Sequence, residues 1–124
     1  MSNYSVEIKE TSRQLTAKEK IAIKDTSNAI KLDLACDVDE VEITPLDYAI
    51  LSIHNEKSDN PDYENYVIID KNGAKYVTGS TSFWNSFSNI YTEMAGEDEE
   101  WAIKAYKLDS KNYKGKKFLT CSII

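Results

Sequence analysis

The apolar residues of one segment have helical spacing between segments that alternate, and this change of spacing restricts the fold more than any other feature of the sequence. Between residues 82 and 96 they recur as Phe83, Phe87, Ile90 and Met94, which places them on one face of an α-helix of about three turns. On both sides of this segment apolar and polar residues alternate, the pattern of strands with one buried face. The sequence therefore predicts a mostly β domain with one helix in its second half.

Five segments around this helix carry the strand pattern, three before it and two after it. A tight hairpin joins the second and third, because Asp70-Lys71-Asn72-Gly73 contains the Asn-Gly pair typical of such turns. We predict an all-β fold with one helix between strands 3 and 4, which is the element order of a five-stranded OB-fold barrel. A split α+β domain with an antiparallel sheet fits the same order. The predicted strands are Tyr48 to His54, Tyr63 to Asp70, Lys75 to Gly79, Trp101 to Leu108 and Lys117 to Ile124.

The first 27 residues precede the predicted barrel and form an N-terminal arm with a short helix of its own. Thr16 and Glu19 have the spacing of a capping box, and about two helical turns follow before residues 25–28 end them. After the arm, Ile30 to Val41 begins with an alternating pattern that predicts a short strand leading into an acidic loop. The chain is thus divided into an arm of residues 1–27 and an OB-fold domain of residues 28–124.

The net charge is −6, but acidic and basic residues are unevenly distributed. From Asp33 to Asp70 eleven acidic residues face Lys57 alone, a local charge of −10. From Trp101 to Phe118 six lysines face a single aspartate, a local charge of +5. A local basic stripe can bind an anion whatever the total charge, although the same lysines also fit an ordinary solvated loop.

Aromatic residues lie among these lysines and on the predicted hairpin, a combination that single-strand recognition requires. Bases stack on aromatic faces while lysines follow the phosphates. The same tyrosines also fit a rim position, with an apolar body and a hydrated hydroxyl. The candidate DNA-binding residues are Tyr63, Tyr66, Tyr76, Lys104, Tyr106, Lys111, Tyr113, Lys114, Lys116 and Lys117.

The signatures of catalysis and of metal binding are weak. His54 is the only histidine, so a His-based metal cluster is absent and any Ser/His or Cys/His pair would need this one ring. The acidic run from Asp37 to Glu42 lacks the glycine and the ligand spacing of a calcium loop, and a solvated acidic edge accounts for it. Cys36 and Cys121 have no CxxC partner, which favours reduced, packed thiols. We expect no enzyme activity, no cofactor and no metal site.

The distribution of apolar residues also bears on location. No apolar run approaches the roughly 20 residues that a membrane span requires, and the first residues lack the order of a signal peptide. Both features predict an intracellular protein that does not bind membranes.

Three stretches of the second half carry a family resemblance. They are Tyr76-Val-Thr-Gly-Ser-Thr-Ser-Phe-Trp-Asn-Ser-Phe, Trp101-Ala-Ile-Lys-Ala-Tyr and Ser110-Lys-Asn-Tyr-Lys-Gly-Lys-Lys-Phe-Leu-Thr-Cys. Together they resemble the small single-stranded DNA-binding proteins of phages and conjugative elements of Gram-positive bacteria, over Leu15 to Ile123. The resemblance implies an OB fold, a cytoplasmic location in a bacterial host, and coating of single-stranded DNA during replication, recombination or transfer, without catalysis.

The resemblance also implies that the lysine loop and the aromatic residues of strands 2 and 3 contact the DNA. Housekeeping single-strand binders of bacteria typically end in an acidic tail that recruits partners. This sequence ends at Cys121-Ser-Ile-Ile, inside the last predicted strand, so we do not expect recruitment through such a tail.

Two function hypotheses follow, with a metal-dependent nuclease as a distant third. The first is a non-catalytic single-stranded DNA-binding protein. The second is an acidic protein-interaction module, such as a DNA mimic or an inhibitor of a host DNA-binding protein. The second would bind a basic protein and ignore nucleic acid. In both hypotheses the oligomeric state is open, and the N-terminal arm could reach a neighbour in self-association along the DNA.

Overall fold

The computed structural model describes residues 4–57, 59–110 and 115–124. Within these ranges the prediction of a predominantly β protein is confirmed. The elements are β1 (Tyr4–Thr11), α1 (Ala17–Lys24), β2 (Ile30–Lys31), α2 (Leu32–Val38), β3 (Val41–Ile43), β4 (Pro45–Asn55), β5 (Asp62–Asp70), β6 (Lys75–Thr78), α3 (Thr81–Met94), β7 (Ile103–Asp109) and β8 (Lys117–Ile123). None of the helices in these ranges has the length and apolar character needed to cross a membrane.

The strands form two sheets, a five-stranded sheet in the order β1-β4-β5-β6-β2 and a three-stranded sheet in the order β3-β7-β8. The described strands do not close into a barrel, so the predicted OB-fold barrel is not confirmed. One reason is that the pairing of β1 with β4, from Tyr4↔Asn55 to Thr11↔Ala49, occupies one edge of β4 along most of its length. Strand β1 was not predicted, although Val6 and Ile8 alternate with polar residues there.

The chain divides into two compact units, each assembled from two separate segments. The first unit comprises Met1–Ile30 and Leu46–Gly79, and the second comprises Lys31–Pro45 and Ser80–Ile124.

The core of the first unit lies on one face of the five-stranded sheet. Ala49, Leu51 and Ile53 of β4 are buried, as their alternation predicts, and they cluster with Val67 and Val77. The predicted hairpin between β5 and β6 is also confirmed. Its turn is closed by hydrogen bonds from the Gly73 amide to the Asp70 carbonyl and from the Asp70 amide to the Ala74 carbonyl, each 2.8 Å long. Gly73 has φ +90°, a conformation that side chains with a Cβ rarely adopt.

Helix α1 begins with the capping box that the sequence predicts. The Glu19 amide donates to Thr16 Oγ1 at 3.2 Å, and the Thr16 amide donates to Glu19 Oε1 at 2.9 Å. Ile23 fixes the helix to the sheet, since only 1% of its surface is exposed and it belongs to the core cluster. At the other end, Lys75 Nζ donates to the carbonyls of Ala22 and Asp25 at 2.5 and 2.8 Å. A positive charge at a helix C-terminus is favourable.

Helix α2 replaces most of the short strand and acidic loop predicted from Ile30 to Val41. Only Ile30 and Lys31 are extended, and Leu32–Val38 is helical. The alternation of the leading residues suggested a strand, but Leu32 and Cys36 are four residues apart and therefore share one face of a helix. Leu32 is fully buried and Cys36 is half-buried, whereas Leu34 is 62% exposed. Burial of the helix-spaced pair therefore determines the conformation of this segment.

Helix α3 is confirmed with its predicted apolar stripe. The Phe83 amide donates to the Ser80 hydroxyl at 3.1 Å, so Ser80 is the N-cap. Phe83 and Phe87 are fully buried, with their rings stacked 6.1 Å apart. The hydroxyl of Ser82 donates to the Leu119 carbonyl of β8 at 2.7 Å, and Ser86 Oγ lies 3.0 Å from Thr120 Oγ1. Helix α3 is therefore fixed to β8 by polar as well as apolar contacts.

Candidate nucleic-acid interface

Strands β7 and β8 of the second unit present one buried face and one face that includes exposed side chains. Their register pairs Ala105 with Cys121 and Lys107 with Leu119, and Ala105, Cys121 and Leu119 are buried. On the other face the register pairs Lys104 with Ser122, Tyr106 with Thr120 and Leu108 with Phe118. We call this second face the outer face and define it by Lys104, Tyr106, Leu108, Phe118 and Ser122. The sixth residue of this face, Thr120, is buried, and its hydroxyl lies 3.0 Å from Ser86 Oγ of α3.

Tyr106 is held in position at the middle of the outer face. Its hydroxyl lies 2.5 Å from the Ser122 hydroxyl, a short hydrogen bond between neighbouring strands. Lys104 Nζ lies 5.5 Å from the centre of the Tyr106 ring, within the range of a cation–π contact. The structure thus brings together two of the sequence-predicted site residues, an aromatic ring and a lysine.

Phe118 and Leu108 add exposed apolar surface to the same face. Phe118 is 38% exposed and Leu108 is 45% exposed, although both are large apolar side chains. Phe118 is a diagonal neighbour of Tyr106, and such neighbours lie about 7–8 Å apart. Phe118 is absent from the sequence-predicted set, but the strand alternation could have identified it, because the buried Leu119 and Cys121 place Phe118 on the opposite face.

Acidic residues surround part of this face and reduce its positive potential. Glu40 Oε2 lies 3.7 Å from Lys104 Nζ, and Glu42 of β3 is paired with Lys104 in the sheet register. Lys107, on the other face, is 18% exposed and its Nζ lies 2.5 Å from Asp37 Oδ1. Asp37 therefore already holds this lysine, which is not in the sequence-predicted set.

Two further predicted lysines, Lys116 and Lys117, lie at or next to the start of β8. Lys116 and Lys117 are exposed, and the Lys116 carbonyl accepts a hydrogen bond of 2.8 Å from the Ser110 amide. This bond joins the two ends of the predicted basic turn. Within the turn, the predicted site residues Lys111, Tyr113 and Lys114 lie outside the described residues.

The three predicted tyrosines of the first unit do not form one stacking surface on β5 and β6. Tyr66 is only 5% exposed, its hydroxyl donates to Glu64 Oε1 at 3.3 Å, and burial raises the pKa of its phenol, with Glu64 adding to the effect. Tyr63 packs against the core cluster on the opposite face of the sheet. Tyr76 is half-buried, and burial followed by the charge of Asp70 raises its pKa. Tyr66 therefore offers little ring surface to a base, and Tyr63, which is half-buried, lies on the other face of the sheet.

His54 pairs with two carboxylates next to the loop that follows β4. Its Nδ1 lies 2.7 Å from Asp62 Oδ1 and its Nε2 lies 3.5 Å from Glu56 Oε1. These contacts, first with Asp62 and then with Glu56, raise the pKa of the imidazole above its ordinary value. The local role of His54 is thus to join the two ends of this loop.

Thiols and carboxylates do not assemble into a metal centre in the part of the chain that the structure describes. There, no three His, Cys, Asp or Glu side chains are grouped so that they could hold an ion. Cys121 is buried, which raises the pKa of its thiol to about 12, and burial also raises the pKa of Cys36. Both cysteines are free, and the raised pKa values keep them protonated near neutral pH.

Comparison of the chain with protein-family models, curated proteins and solved structures found no match. The family resemblance in the sequence therefore stays a prediction, and the function has to be argued from the residues themselves.

Proposed function

We propose that this protein is a non-catalytic single-stranded DNA-binding protein and that its outer face is the stacking surface. The observation that carries the proposal is the Lys104–Tyr106 contact beside the exposed ring of Phe118. In this proposal one base stacks on Tyr106 and the next on Phe118, while Lys104, Lys116 and Lys117 neutralise phosphates.

The chemistry of this face favours unpaired bases over a duplex. In a duplex the flat faces of the bases are covered by their neighbours, whereas a single strand can turn them onto protein rings. Leu108 and Phe118 are exposed and add apolar surface, which can contact a base but not a charged phosphate backbone. A surface of this kind binds with little sequence preference, because every base has a π-face.

The element order supports a relationship to OB folds, which we include in the proposal. From β4 to β8 the chain runs through three strands, α3 and two further strands, the order that the barrel requires. The family resemblance supports the same relationship and suggests coating of single-stranded DNA during replication, recombination or transfer of a mobile element.

The experiment compares the wild type with Phe118→Ala in a fluorescence-anisotropy titration of a labelled dT oligonucleotide. Base stacking on an aromatic side chain is worth about 1–3 kcal/mol, so the variant is expected to bind about 5- to 150-fold more weakly. Tyr4→Ala is the matched control, because Tyr4 is also an exposed aromatic residue of a strand, at 49%, but lies in the other sheet. Equal affinity of the wild type and Phe118→Ala would exclude the outer face as the stacking surface.

The second candidate function, an acidic protein-interaction module, is favoured by one feature of α2. Leu34 and Val38 are four residues apart on this helix and are 62% and 89% exposed. Acidic residues 33, 37, 39 and 40 surround them, without a basic residue between positions 32 and 47. If this candidate is correct, the protein will displace DNA from a basic DNA-binding protein in a competition assay and will not itself bind the dT oligonucleotide at low salt.

A further inference from the structure

A pocket of about 420 Å³ lies between β1 and α1 in the first unit. The residues that line it do not include any residue of the outer face. Its lining includes Ile8 of β1, Leu15 of the connecting segment, and Lys20 and Lys24 of α1. The volume is in the range of pockets that bind small molecules, about 300–1,000 Å³. We call this space the α1–β1 pocket.

Two lysines of the α1–β1 pocket are available to an anion. Lys20 and Lys24 are separated by four residues, so they lie one above the other on the same face of α1, with Cβ atoms about 5–6 Å apart. Neither side chain makes a hydrogen bond or ion pair with the described residues, whereas Lys9 is held by Glu64 at 2.5 Å. The pair therefore presents two ammonium groups at the pocket, and neither forms an ion pair with a described residue, although the Glu7 carboxylate also lines the pocket.

The charge around α1 has the same sign. From Arg13 to Lys31 the sequence contains five basic residues against Glu19 and Asp25. Glu19 is already engaged by Arg13, a contact that raises the pKa of Arg13 and lowers the pKa of Glu19 to about 2. This second basic region is not among the sequence-predicted sites, because its lysines are interrupted by the apolar residues of the helix.

The remaining lining of the α1–β1 pocket suits a flat, weakly polar group. Leu15 is 8% exposed and belongs to the core cluster, and Ile8 packs against that cluster, so together they offer an apolar wall. Thr11 donates its hydroxyl proton to the Arg13 carbonyl at 2.6 Å, which leaves the hydroxyl oxygen able to accept a hydrogen bond. Glu7 also lines the pocket and can accept from an amino group. An anionic phosphate and a flat, hydrogen-bonding base are the two ends of a nucleotide, joined by its sugar.

We propose that the α1–β1 pocket binds a nucleotide unit, with its phosphate between Lys20 and Lys24 and its base against Ile8 and Leu15. The same chemistry is offered by a free nucleotide and by one unit of a single strand. The second source rests on the proposed function, and the first does not.

The test follows amide chemical shifts of the full chain by NMR while dTMP, inorganic phosphate or a short dT oligonucleotide is added. The probe variant is K20Q/K24Q. The control is K18Q/K57Q, which removes the same charge from two exposed lysines that do not line the pocket. Because exposed charge contacts are worth about 0.2–1 kcal/mol each, the probe variant is expected to bind dTMP about 2- to 30-fold more weakly, with the control unchanged.

Each outcome of this test has a defined meaning. Shifts of β1 and α1 amides with dTMP, weakened in K20Q/K24Q alone, support the pocket with a free nucleotide, and the same pattern with the oligonucleotide alone supports a unit of the strand. Phosphate binding as tight as dTMP would overturn the role of Ile8 and Leu15, and equal affinities of the two double variants for every probe would overturn the proposal. If the wild type binds dTMP but not the oligonucleotide, single-stranded DNA binding is contradicted, but nucleotide binding in the α1–β1 pocket is supported.

Discussion

Removing the Glu40 carboxylate is expected to strengthen the binding of single-stranded DNA. Glu40 Oε2 lies 3.7 Å from Lys104 Nζ, and the two side chains are 56% and 43% exposed. A phosphate that approaches Lys104 must compete with this carboxylate. Glu40→Gln removes the competing charge of this ion pair but keeps the size of the side chain, so Lys104 becomes more available to the DNA.

The expected gain follows from the exposure of the pair. Two unit charges about 4 Å apart attract by about 1 kcal/mol in water, and exposed ion pairs contribute about 0.2–1 kcal/mol when measured. Glu40→Gln is therefore expected to raise the affinity by about 1.4- to 5-fold at low salt, because 1.4 kcal/mol corresponds to a factor of ten. The gain should shrink as salt screens the charges, over a Debye length of about 10 Å at 0.1 M.

The assay is an anisotropy titration of a labelled dT oligonucleotide, with Asp39→Asn as the matched control. Asp39 is the neighbouring acid, and the Asn side chain can still accept the hydrogen bond of 2.8 Å from the Glu40 amide to Oδ1. Both variants lower the negative charge by one, but only Glu40→Gln releases Lys104. If Asp39→Asn increases the affinity as much as Glu40→Gln does, the reasoning about the Lys104 contact is refuted and a general charge effect remains.

Three further predictions test the packing and the titration of the described residues. Ser80→Ala removes the N-cap of α3 and should lower the free energy of unfolding by about 0.5–2 kcal/mol, measured by urea denaturation; an unchanged value would show that the cap is replaceable. Phe87→Ala removes a fully buried ring and should cost about 3–5 kcal/mol in the same assay, and a loss below 1 kcal/mol would contradict its place in the core. The pKa of His54 in the folded state lies above the ordinary value of 6.5. The stabilisation of the fold by its ion pairs is therefore complete below pH 6.5 and is lost as the pH rises through the raised pKa. An NMR titration of the imidazole should show Asp62→Asn returning the pKa toward 6.5, and an unshifted wild-type ring would contradict the pairing.

Local signals in the sequence predicted local structure well. The capping box of Thr16 and Glu19, the Asn-Gly turn at Gly73 and the apolar stripe of α3 each depend on residues within a few positions of one another. Such signals act through short hydrogen bonds and a single helical or strand period, so the sequence alone is sufficient to locate them.

Features that depend on distant pairing were not predictable in the same way. Strand β1 joins the sheet because it pairs with an edge of β4, which lies more than 30 residues away in the sequence. The alternation around Val6 alone does not identify the strand with which β1 pairs. At α2, strand and helix patterns overlap over seven residues, and burial of Leu32 decided between them.

The candidate site shows the same division. The strand pattern places Lys104 and Tyr106 on one face, and the structure brings them together. The burial of Tyr66 was not predictable, because a strand residue is covered or exposed according to what packs on its sheet, which alternation does not specify.

Whether this protein binds single-stranded DNA is decided by the affinity of the wild type for a dT oligonucleotide and for a duplex of equal length, at several salt concentrations. We expect a clear preference for the single strand, with the logarithm of the binding constant falling by about 0.7 per neutralised phosphate for each unit of log salt. Equal binding of the two nucleic acids, or no binding of the single strand at low salt, would contradict this expectation.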